Sequence, residues 1–171
     1  MGLEDTLRVL NGMQSARVIG EYALGGAVAA FFYIEPGTTF DLDVFIVWKT
    51  GAAGLIDLTP IYDYLQKLGC APRREGVMIA GWEVQFLPTH TPLDAEALAE
   101  AVALDIAGVP TRVFTQEHLM AICLQTGRPK DHARLVQFAQ EGKPDTTLLL
   151  DILRRHGLEK RWTDFQARLL T

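Results

Sequence analysis

A chain of 171 residues, 49% of them hydrophobic and 22% charged, is long enough for one domain with a sizeable core. No apolar run approaches the about 20 residues of a membrane span, and Glu4 and Asp5 stand where a secretory signal would carry basic residues. The two cysteines, Cys70 and Cys123, lack the spacing of a disulfide framework or a metal site, so we expect buried thiols in a cytoplasmic protein that binds no membrane.

The net charge of −5 is unevenly distributed. Residues 1–110 hold 6 Lys/Arg and 14 Asp/Glu, whereas residues 111–171 hold 10 and 7. This asymmetry predicts an acidic first part followed by a mildly basic helical part. A positive charge of this size is also typical of a solvated helix face, so by itself it does not indicate nucleic-acid binding.

Hydrophobic periodicity predicts mixed helices and strands up to residue 114 and helices after it. In chain order we expect a helix over 3–13, a strand over 17–24, a helix over 26–33, a strand over 40–48, a loop over 50–54, a helix over 58–68, strands over 77–80 and 82–87, a helix over 91–107, a strand over 109–114, helices over 115–125 and 128–139, and two helices within 146–170. Pro110 predicts that the strand over 109–114 is an edge strand. The fold class is therefore α+β: a small mixed sheet flanked by helices, with C-terminal helices. We expect one compact domain, with a core over 1–114 and a helical portion over 115–171 packed on it.

Two aspartates open the strand over 40–48. Because successive strand side chains point to opposite faces, Asp41 and Asp43 share one face, and their backbone positions are about 7 Å apart. At an effective dielectric of about 20, two full charges at that distance repel by roughly 2 kcal/mol. A divalent cation with oxygen ligands would relieve this repulsion, although such a pair is also typical of a solvated strand cap.

A glycine pair, Gly25-Gly26, separates the first predicted strand from the helix that follows. Glycine lets the backbone approach a ligand closely, and the first N–H groups of a helix favour anions. The pair therefore predicts a phosphate-binding turn beside the aspartates, or else only a tight turn. A metal–nucleotide complex is the ligand that fits both features.

These features together resemble a known superfamily. The letters LGG over 24–26, a spacer and DLD over 41–43 are similar to the nucleotidyltransferase superfamily that includes DNA polymerase beta. Within it, GGA over 25–27 and TFDLD over 39–43 resemble the "GGxA…(R)xTxDxD" text of small bacterial proteins related to the AbiEii toxin. The resemblance covers about residues 15–140 and implies a nucleotidyltransferase-like fold with an NTP as substrate and Mg²⁺ as cofactor.

The resemblance implies that Asp41 and Asp43 are catalytic and bind the Mg²⁺ ion. It implies that Gly25 and Gly26 bind the nucleotide through their backbone N–H groups.

Two further nucleotide-binding residues follow from the resemblance. Lys130 stands in the segment RPKD over 128–131, which is similar to the family's R-x-K-D, whose lysine faces the phosphates. Without the resemblance, Lys130 would equally well be an exposed lysine. Thr39, or its neighbour Thr38, offers a hydroxyl where Ala27 replaces the phosphate-contacting serine of many relatives.

The sequence departs from the family at its third acid. The segment over 81–88 resembles the strand that carries that acid, and Gln85 stands at the expected position. Glu83, two residues earlier on the same face, would replace it only in a different strand register. An uncharged Gln85 weakens a two-metal mechanism but leaves one-metal nucleotide binding intact.

The function that follows is transfer of an NMP from an NTP to an RNA or protein acceptor, in a toxin that would have a cognate antitoxin. The alternative is a catalytically inactive nucleotide-binding or protein-interaction module on the same fold, which Gln85 and Ala27 favour. None of the four histidines stands at metal-ligand spacing from another histidine or a cysteine, so the sequence predicts no zinc site.

Overall fold

The computed structural model describes residues 2–47 and 57–169. The predictions for Trp48, for a loop over 50–54 and for Leu170 lie outside the described residues. The helices are α1 (Leu3–Ser15), α2 (Gly26–Ala30), α3 (Thr59–Lys67), α4 (Pro92–Ala99), α5 (Gln116–Thr126), α6 (Pro129–Glu141), α7 (Thr146–Arg155) and α8 (Glu159–Leu169). The strands are β1 (Tyr22–Leu24), β2 (Asp41–Ile46), β3 (Ala71–Arg73), β4 (Gly76–Ile79), β5 (Trp82–Pro88), β6 (Val102–Ile106) and β7 (Val109–Val113).

The strands form one mixed sheet in the order β3-β4-β5-β2-β1-β7-β6. The β2–β5 and β1–β7 pairs are parallel, and the other neighbouring pairs are antiparallel. The central strand is therefore β2, with β5 on one side and β1 on the other. The predicted α+β fold, a mixed sheet flanked by helices, is confirmed.

The period of two in β2 decides where its aspartates lie. Leu42, Val44 and Ile46 are buried in the core on one face of the sheet. Asp41 and Asp43 alternate with them and are only half-buried on the opposite face. A central strand with a fully apolar face fixes its register firmly, because a slip of one residue would bury both aspartates in the core.

The predicted helix over 91–107 is wrong in its second half. It begins as expected: Thr91 Oγ1 accepts from the Asp94 N–H at 3.1 Å, and the Asp94 carboxylate accepts from the Thr91 N–H at 3.1 Å. The helix ends at Ala99, and β6 follows because Ala107 (φ 51°) and Gly108 (φ 79°) form a tight turn back into β7. Two central residues with positive φ match the twist of a hairpin, and this pairing outweighs the helical spacing of the alanines and leucines.

The prediction that strand 109–114 is an edge strand is also wrong. β7 lies between β1 and β6, and β6 is the edge. Pro110 is tolerated because β1 pairs with β7 only at Leu24–Val113, so Pro110 has a ladder partner, Asp105, on one side alone. The Pro110 carbonyl instead accepts a hydrogen bond from Asn11 Nδ2 at 2.9 Å.

Two other predicted elements are shorter than expected. The first strand begins at Tyr22 instead of residue 17, because α1 continues to Ser15 and Arg17 takes a positive φ of 58°. α2 ends at Ala30 instead of residue 33. Both changes leave Gly25-Gly26 at the junction of β1 and α2, as predicted.

One hydrophobic cluster joins the sheet to the C-terminal helices. It includes Leu24 and Val113 of the sheet together with Phe114, Leu135 and Phe138. The division at residue 114 stays a prediction, and the cluster gives no sign of a second core. Among residues 2–47 and 57–169, no helix combines the length and the apolar character that crossing a bilayer requires.

Candidate functional site

A cleft of about 780 Å³ opens between the acidic face of the sheet and helices α5 and α6. Five of the six sequence-predicted site residues line it: Gly26, Thr39, Asp41, Asp43 and Lys130. The sixth, Gly25, lies directly behind, where its N–H donates to the Asp43 carbonyl at 2.9 Å. The cleft thus brings together residues that are more than 100 positions apart in the chain.

The parallel ladder between β2 and β5 defines the neighbours of the two aspartates. Asp43 stands opposite Gln85, and Asp41 stands opposite Glu83. Gln85 therefore occupies the position beside Asp43 that the sequence assigned to it. Glu83 is a neighbour of Asp41 instead, and it lines a second, smaller hollow of about 370 Å³ that shares Asp41 and Gln85 with the cleft.

Asp41 is stabilised as a carboxylate. The Thr39 hydroxyl donates to Asp41 Oδ1 at 2.6 Å, and this hydrogen bond lowers the pKa of Asp41 below its usual value. The positive charge of Lys130 lowers the pKa further. Because the Thr39 hydroxyl is committed to Asp41, Thr39 acts on this carboxylate directly, and its predicted contact with a nucleotide stays a prediction.

Asp43 is in the opposite situation. Burial raises the pKa of Asp43, and the negative charge of Asp41 raises it further, while Lys130, Arg134 and Arg128 counteract both effects. A carboxyl group in a cleft with a pKa raised by burial and a neighbouring carboxylate is a functional-site candidate. Two carboxylates and the amide oxygen of Gln85 are oxygen donors of the kind that Mg²⁺ prefers, so the donor set fits the predicted ion.

The two glycines are required by close packing around Asp43. Gly26 has a φ of 59°, and a Cβ placed on it would overlap the Asp43 carboxylate. A Cβ on Gly25 would meet the ring of Phe45. The glycine pair therefore lets the backbone pass the aspartate without filling the cleft beside it.

Helix α6 supplies the positive wall of the cleft. Lys130 and Arg134 are one turn apart, and both contribute a positive potential at Asp43. Arg128, the N-cap residue of the helix, also lines the cleft. Sequence reasoning missed Arg128 and Arg134, although the i,i+4 spacing of Lys130 and Arg134 would have placed the second cation on the same face.

Asp131 holds Arg128 in place. Its side chain is 2% exposed, and it accepts from Arg128 Nε at 2.7 Å, Arg128 Nη2 at 3.2 Å and the Thr126 hydroxyl at 2.7 Å. Burial raises the pKa of Asp131, but these hydrogen bonds and the charge of Arg128 lower it below the usual value overall. Asp131 lies in the first turn of α6, and its burial and hydrogen bonds show that it fixes an arginine of the cleft.

Cys123 of α5 lies in the cleft wall. Burial raises the pKa of its thiol to about 12, and Arg134 only partly opposes this. The thiol is therefore neutral at physiological pH, which excludes it as a thiolate nucleophile.

No protein-family model and no curated protein matches the sequence. The structure is similar to the crystal structure of an antigenic nucleotidyltransferase-like protein from Paracoccidioides brasiliensis, with a TM-score of 0.56 and 16% identity over 98% of this chain and 93% of that chain. It also matches the solution structure of the antibiotic-resistance factor ANT(2'')-Ia, with a TM-score of 0.47 and 15% identity over 96% of this chain and 91% of that chain. The crystal structure of ANT(2'')-Ia in complex with adenylyl-2''-tobramycin matches with a TM-score of 0.46 and 15% identity over 95% of this chain and 98% of that chain.

At such identities the first of these similarities is evidence of the fold alone. The predicted nucleotidyltransferase-like fold is confirmed, and the likeness to AbiEii-related proteins stays a prediction.

Proposed function

We propose that the protein transfers a nucleoside monophosphate from an NTP to an acceptor and releases pyrophosphate. The observation that carries the proposal is the opposition of charges across one cleft. Asp41 and Asp43 line its sheet side, and Arg128, Lys130 and Arg134 line its helix side. A polyphosphate bridged to the carboxylates by a divalent cation would satisfy both sides at once.

Asp41 and Asp43 would hold the Mg²⁺ ion, which when bound supplies charge neutralisation of the phosphate oxygens. The role of Thr39 is to keep Asp41 ionised and oriented through its 2.6 Å hydrogen bond. The role of Gly26 is to bring its backbone N–H group to the phosphates without a side chain in the way. The N–H of Gly25 donates to the Asp43 carbonyl at 2.9 Å, so Gly25 anchors the turn to β2 and its predicted contact with the nucleotide stays a prediction.

Lys130 and Arg134 would bind the phosphates of the leaving pyrophosphate, because both extend from the helix side of the cleft. Arg128 is more rigid, because Asp131 accepts from two nitrogens of its guanidinium at 2.7 and 3.2 Å. Its Nη1, the guanidinium nitrogen that Asp131 does not use, would orient a phosphate oxygen with little further loss of side-chain freedom. Catalysis would then consist of positioning and charge stabilisation of an in-line displacement.

The acceptor would enter from the side opposite the cations, because an in-line displacement separates nucleophile and leaving group. The smaller hollow beside Asp41, lined by Phe40, Arg74 and Glu83 and by none of the three cations of α6, is the candidate place for it. An RNA or protein acceptor, a toxin role and a cognate antitoxin remain proposals that rest on the resemblance to AbiEii-related proteins.

A second candidate function is a nucleotide sensor without catalysis. Gln85 carries no charge for a second ion and cannot take a proton from the acceptor. A sensor would bind the NTP with Mg²⁺ in the same cleft but transfer nothing.

One experiment separates the two functions. The chain is incubated with each α-labelled NTP, Mg²⁺, and cell RNA or a cell lysate, in parallel with Asp43→Asn. As a matched control we choose Asp63→Asn, an exposed aspartate of α3. Label transfer that is lost in Asp43→Asn but retained in Asp63→Asn supports the enzyme. Thermal stabilisation by Mg²⁺ and NTP without transfer supports the sensor, and the absence of both contradicts the nucleotide site.

A further inference from the structure

A second cluster of metal-ligand side chains lies outside the cleft lining. Glu96 and Glu100 are one turn apart at the end of α4, and His118 lies in the first turn of α5. One ligand atom from each residue lies within 4.8 Å of the other two. The His118 side chain is 0% exposed, and its Nε2 lies 3.3 Å from Glu96 Oε1 and 3.9 Å from Glu100 Oε2.

We propose that Glu96, Glu100 and His118 form a structural site for one divalent transition-metal ion, with zinc as the best-fitting ion. Zinc binds histidine nitrogen and carboxylate oxygen at about 2.0–2.2 Å, which places neighbouring ligands of a tetrahedron roughly 3.3 Å apart. His118 Nε2 lies 3.3 and 3.9 Å from the two glutamate oxygens, and all three ligand atoms lie within 4.8 Å of one another, so side-chain movements of about 1 Å would reach that spacing. A mixed nitrogen and oxygen donor set also distinguishes this site from the all-oxygen set of the cleft.

Two further residues hold the ligands in position. The Thr115 hydroxyl lies 2.8 Å from His118 Nδ1, and His156 Nε2 lies 2.8 Å from Glu96 Oε2. With an ion on Nε2, the proton of His118 would sit on Nδ1 and be donated to Thr115. Hydrogen bonds of this kind orient metal ligands and raise their affinity.

Arg155 is a cationic partner that Glu96 already has. Its Nη2 lies 2.6 Å from Glu96 Oε1, the same oxygen that faces His118. Arg155 also forms an ion pair with Asp151 one turn earlier on α7, so it keeps a partner when it leaves Glu96. The guanidinium would therefore compete with an ion for Glu96.

The cluster has a competing explanation, which is a purely polar contact between α4, α5 and α7. The two explanations differ in what Arg155→Ala does. If the cluster is only polar, loss of Arg155 lowers stability and zinc does not restore it. If it is a metal site, loss of the competing, partly exposed ion pair tightens zinc binding by up to about fivefold, and zinc restores stability.

The test is a zinc titration by calorimetry on the full chain, in excess Mg²⁺, with wild type, Arg155→Ala and Glu100→Gln. We expect one zinc per chain, tighter binding in Arg155→Ala and a loss of at least about tenfold in Glu100→Gln, whose exposed position makes it safe for folding. His132→Ala, a histidine of α6 outside the cluster, is the control and should bind zinc as wild type does. Equal zinc affinity in Glu100→Gln and wild type, or no zinc-dependent rise in Tm in Arg155→Ala, overturns the proposal.

A second measurement distinguishes metal binding at this cluster from metal binding in the cleft. Co²⁺ bound at the cluster should give visible absorption bands that zinc displaces, and Asp43→Asn should leave them unchanged. Bands that disappear in Asp43→Asn would place the ion in the cleft and overturn the proposal. Spacing along the chain could not predict this site, because His118 stands 22 positions after Glu96 and only the packing of α4 on α5 brings them together.

Discussion

We expect ionised Asp43 to lower the free energy of unfolding of the chain when no cation is bound beside it. Burial and the charge of Asp41 both raise its pKa, which means that the folded state disfavours its ionised form. Asp43→Asn keeps the shape and removes the charge. We therefore expect the free energy of unfolding in EDTA at pH 7 to rise by about 1 kcal/mol, since the lost repulsion is partly offset by lost attraction to the cations of α6. Chemical denaturation followed by circular dichroism measures the change.

The same substitution should abolish stabilisation by NTP with Mg²⁺. Wild type at about one hundred times the Kd should gain about 2.7 kcal/mol, and Asp43→Asn should gain nothing. Asp63→Asn should behave as wild type in both measurements. A variant that is less stable than wild type in EDTA would mean that Asp43 is a structural carboxylate.

Asp131 predicts a specific loss of stability in acid. Burial raises its pKa, but the Arg128 and Thr126 hydrogen bonds lower it overall, so the folded state favours the ionised form. The resulting stability is present above the unfolded-state pKa of about 3.9 and is lost as the pH falls through and below that value. We expect Asp131→Asn to cost about 2 kcal/mol at pH 7 and progressively less below about pH 4.

Unfolding curves from pH 3 to pH 7 check this prediction. Thr126→Val removes one hydrogen bond to Asp131 and keeps the ion pair with Arg128, so it should cost only about 1 kcal/mol. A cost of Asp131→Asn that does not change with pH would contradict the assignment.

Gly26 and Gly108 form a matched pair for testing the packing around Asp43. Both have positive φ, 59° and 79°, but a Cβ on Gly26 overlaps Asp43, whereas a Cβ on Gly108 meets nothing within 4 Å. Gly108→Ala should therefore cost only the backbone strain of about 1–2 kcal/mol. Gly26→Ala should cost more and should also weaken NTP binding, as measured by denaturation and by calorimetry. If both substitutions lower the free energy of unfolding equally, the close contact between the Gly26 backbone and Asp43 does not contribute to stability.

At the scale of elements, the cationic face of α6 predicts how nucleotide affinity is distributed. Lys130 and Arg134 share one face, while Lys143 follows the helix and is exposed outside the cleft lining. We expect Lys130→Gln and Arg134→Gln each to weaken NTP binding roughly tenfold, which is about 1.4 kcal/mol, with a greater effect at low salt. Lys143→Gln is the control with the same change in net charge. Equal effects of all three substitutions would indicate only long-range attraction.

Local patterns predicted most elements because their signals are local. The apolar alternation of β2 and the Thr91 cap of α4 gave the correct element types. The hairpin of β6 and β7 was missed because Ala and Leu at spacings of three and four continue the helical pattern beyond Ala99, and only the turn at Ala107-Gly108 marks the strand pair. Local sequence patterns could not predict the strand order, because the position of β7 beside β1 depends on pairing between residues far apart in the chain.

The site was predictable where its residues are close in sequence. Asp41, Asp43 and the glycine pair follow one another within one β-α-β stretch, and their relation can be read from spacing. Arg128 was missed because its place in the cleft depends on a buried Asp131, and burial of a charged residue has no sequence signal of its own.

At the scale of the whole molecule, the hydrophobic cluster argues that the chain unfolds as one unit. α5 contacts α2 and α4 as well as α6 and α7. Five of its residues are buried apolar members of the cluster, Leu119, Met120, Ala121, Cys123 and Leu124, and the half-buried Ile122 packs against it. Removing the helices after residue 114 would expose apolar side chains of the remaining chain that belong to the same cluster, such as Leu24, Val113 and Phe114. Residues 1–114 and 115–171 should therefore lose their structure together, as a small two-state domain does.

Two tryptophans report on the two portions. Trp82 opens β5 in the sheet, and Trp162 lies in α8, where its ring centroid is 5.5 Å from that of Phe165. We compare two variants, one that keeps only Trp82 and one that keeps only Trp162, with the other tryptophans replaced by Phe. In each variant the urea midpoint from fluorescence should equal the midpoint from circular dichroism of the same variant. Because fluorescence of Trp82 reports the sheet and that of Trp162 the C-terminal helices, a transition of Trp162 at lower urea would mean that the last helices unfold independently.

In that case the cleft between the sheet and α6 could open without unfolding of the sheet, and NTP with Mg²⁺ should shift the Trp162 transition more than the Trp82 transition. Coincident transitions that NTP shifts equally are the result we expect from a single core.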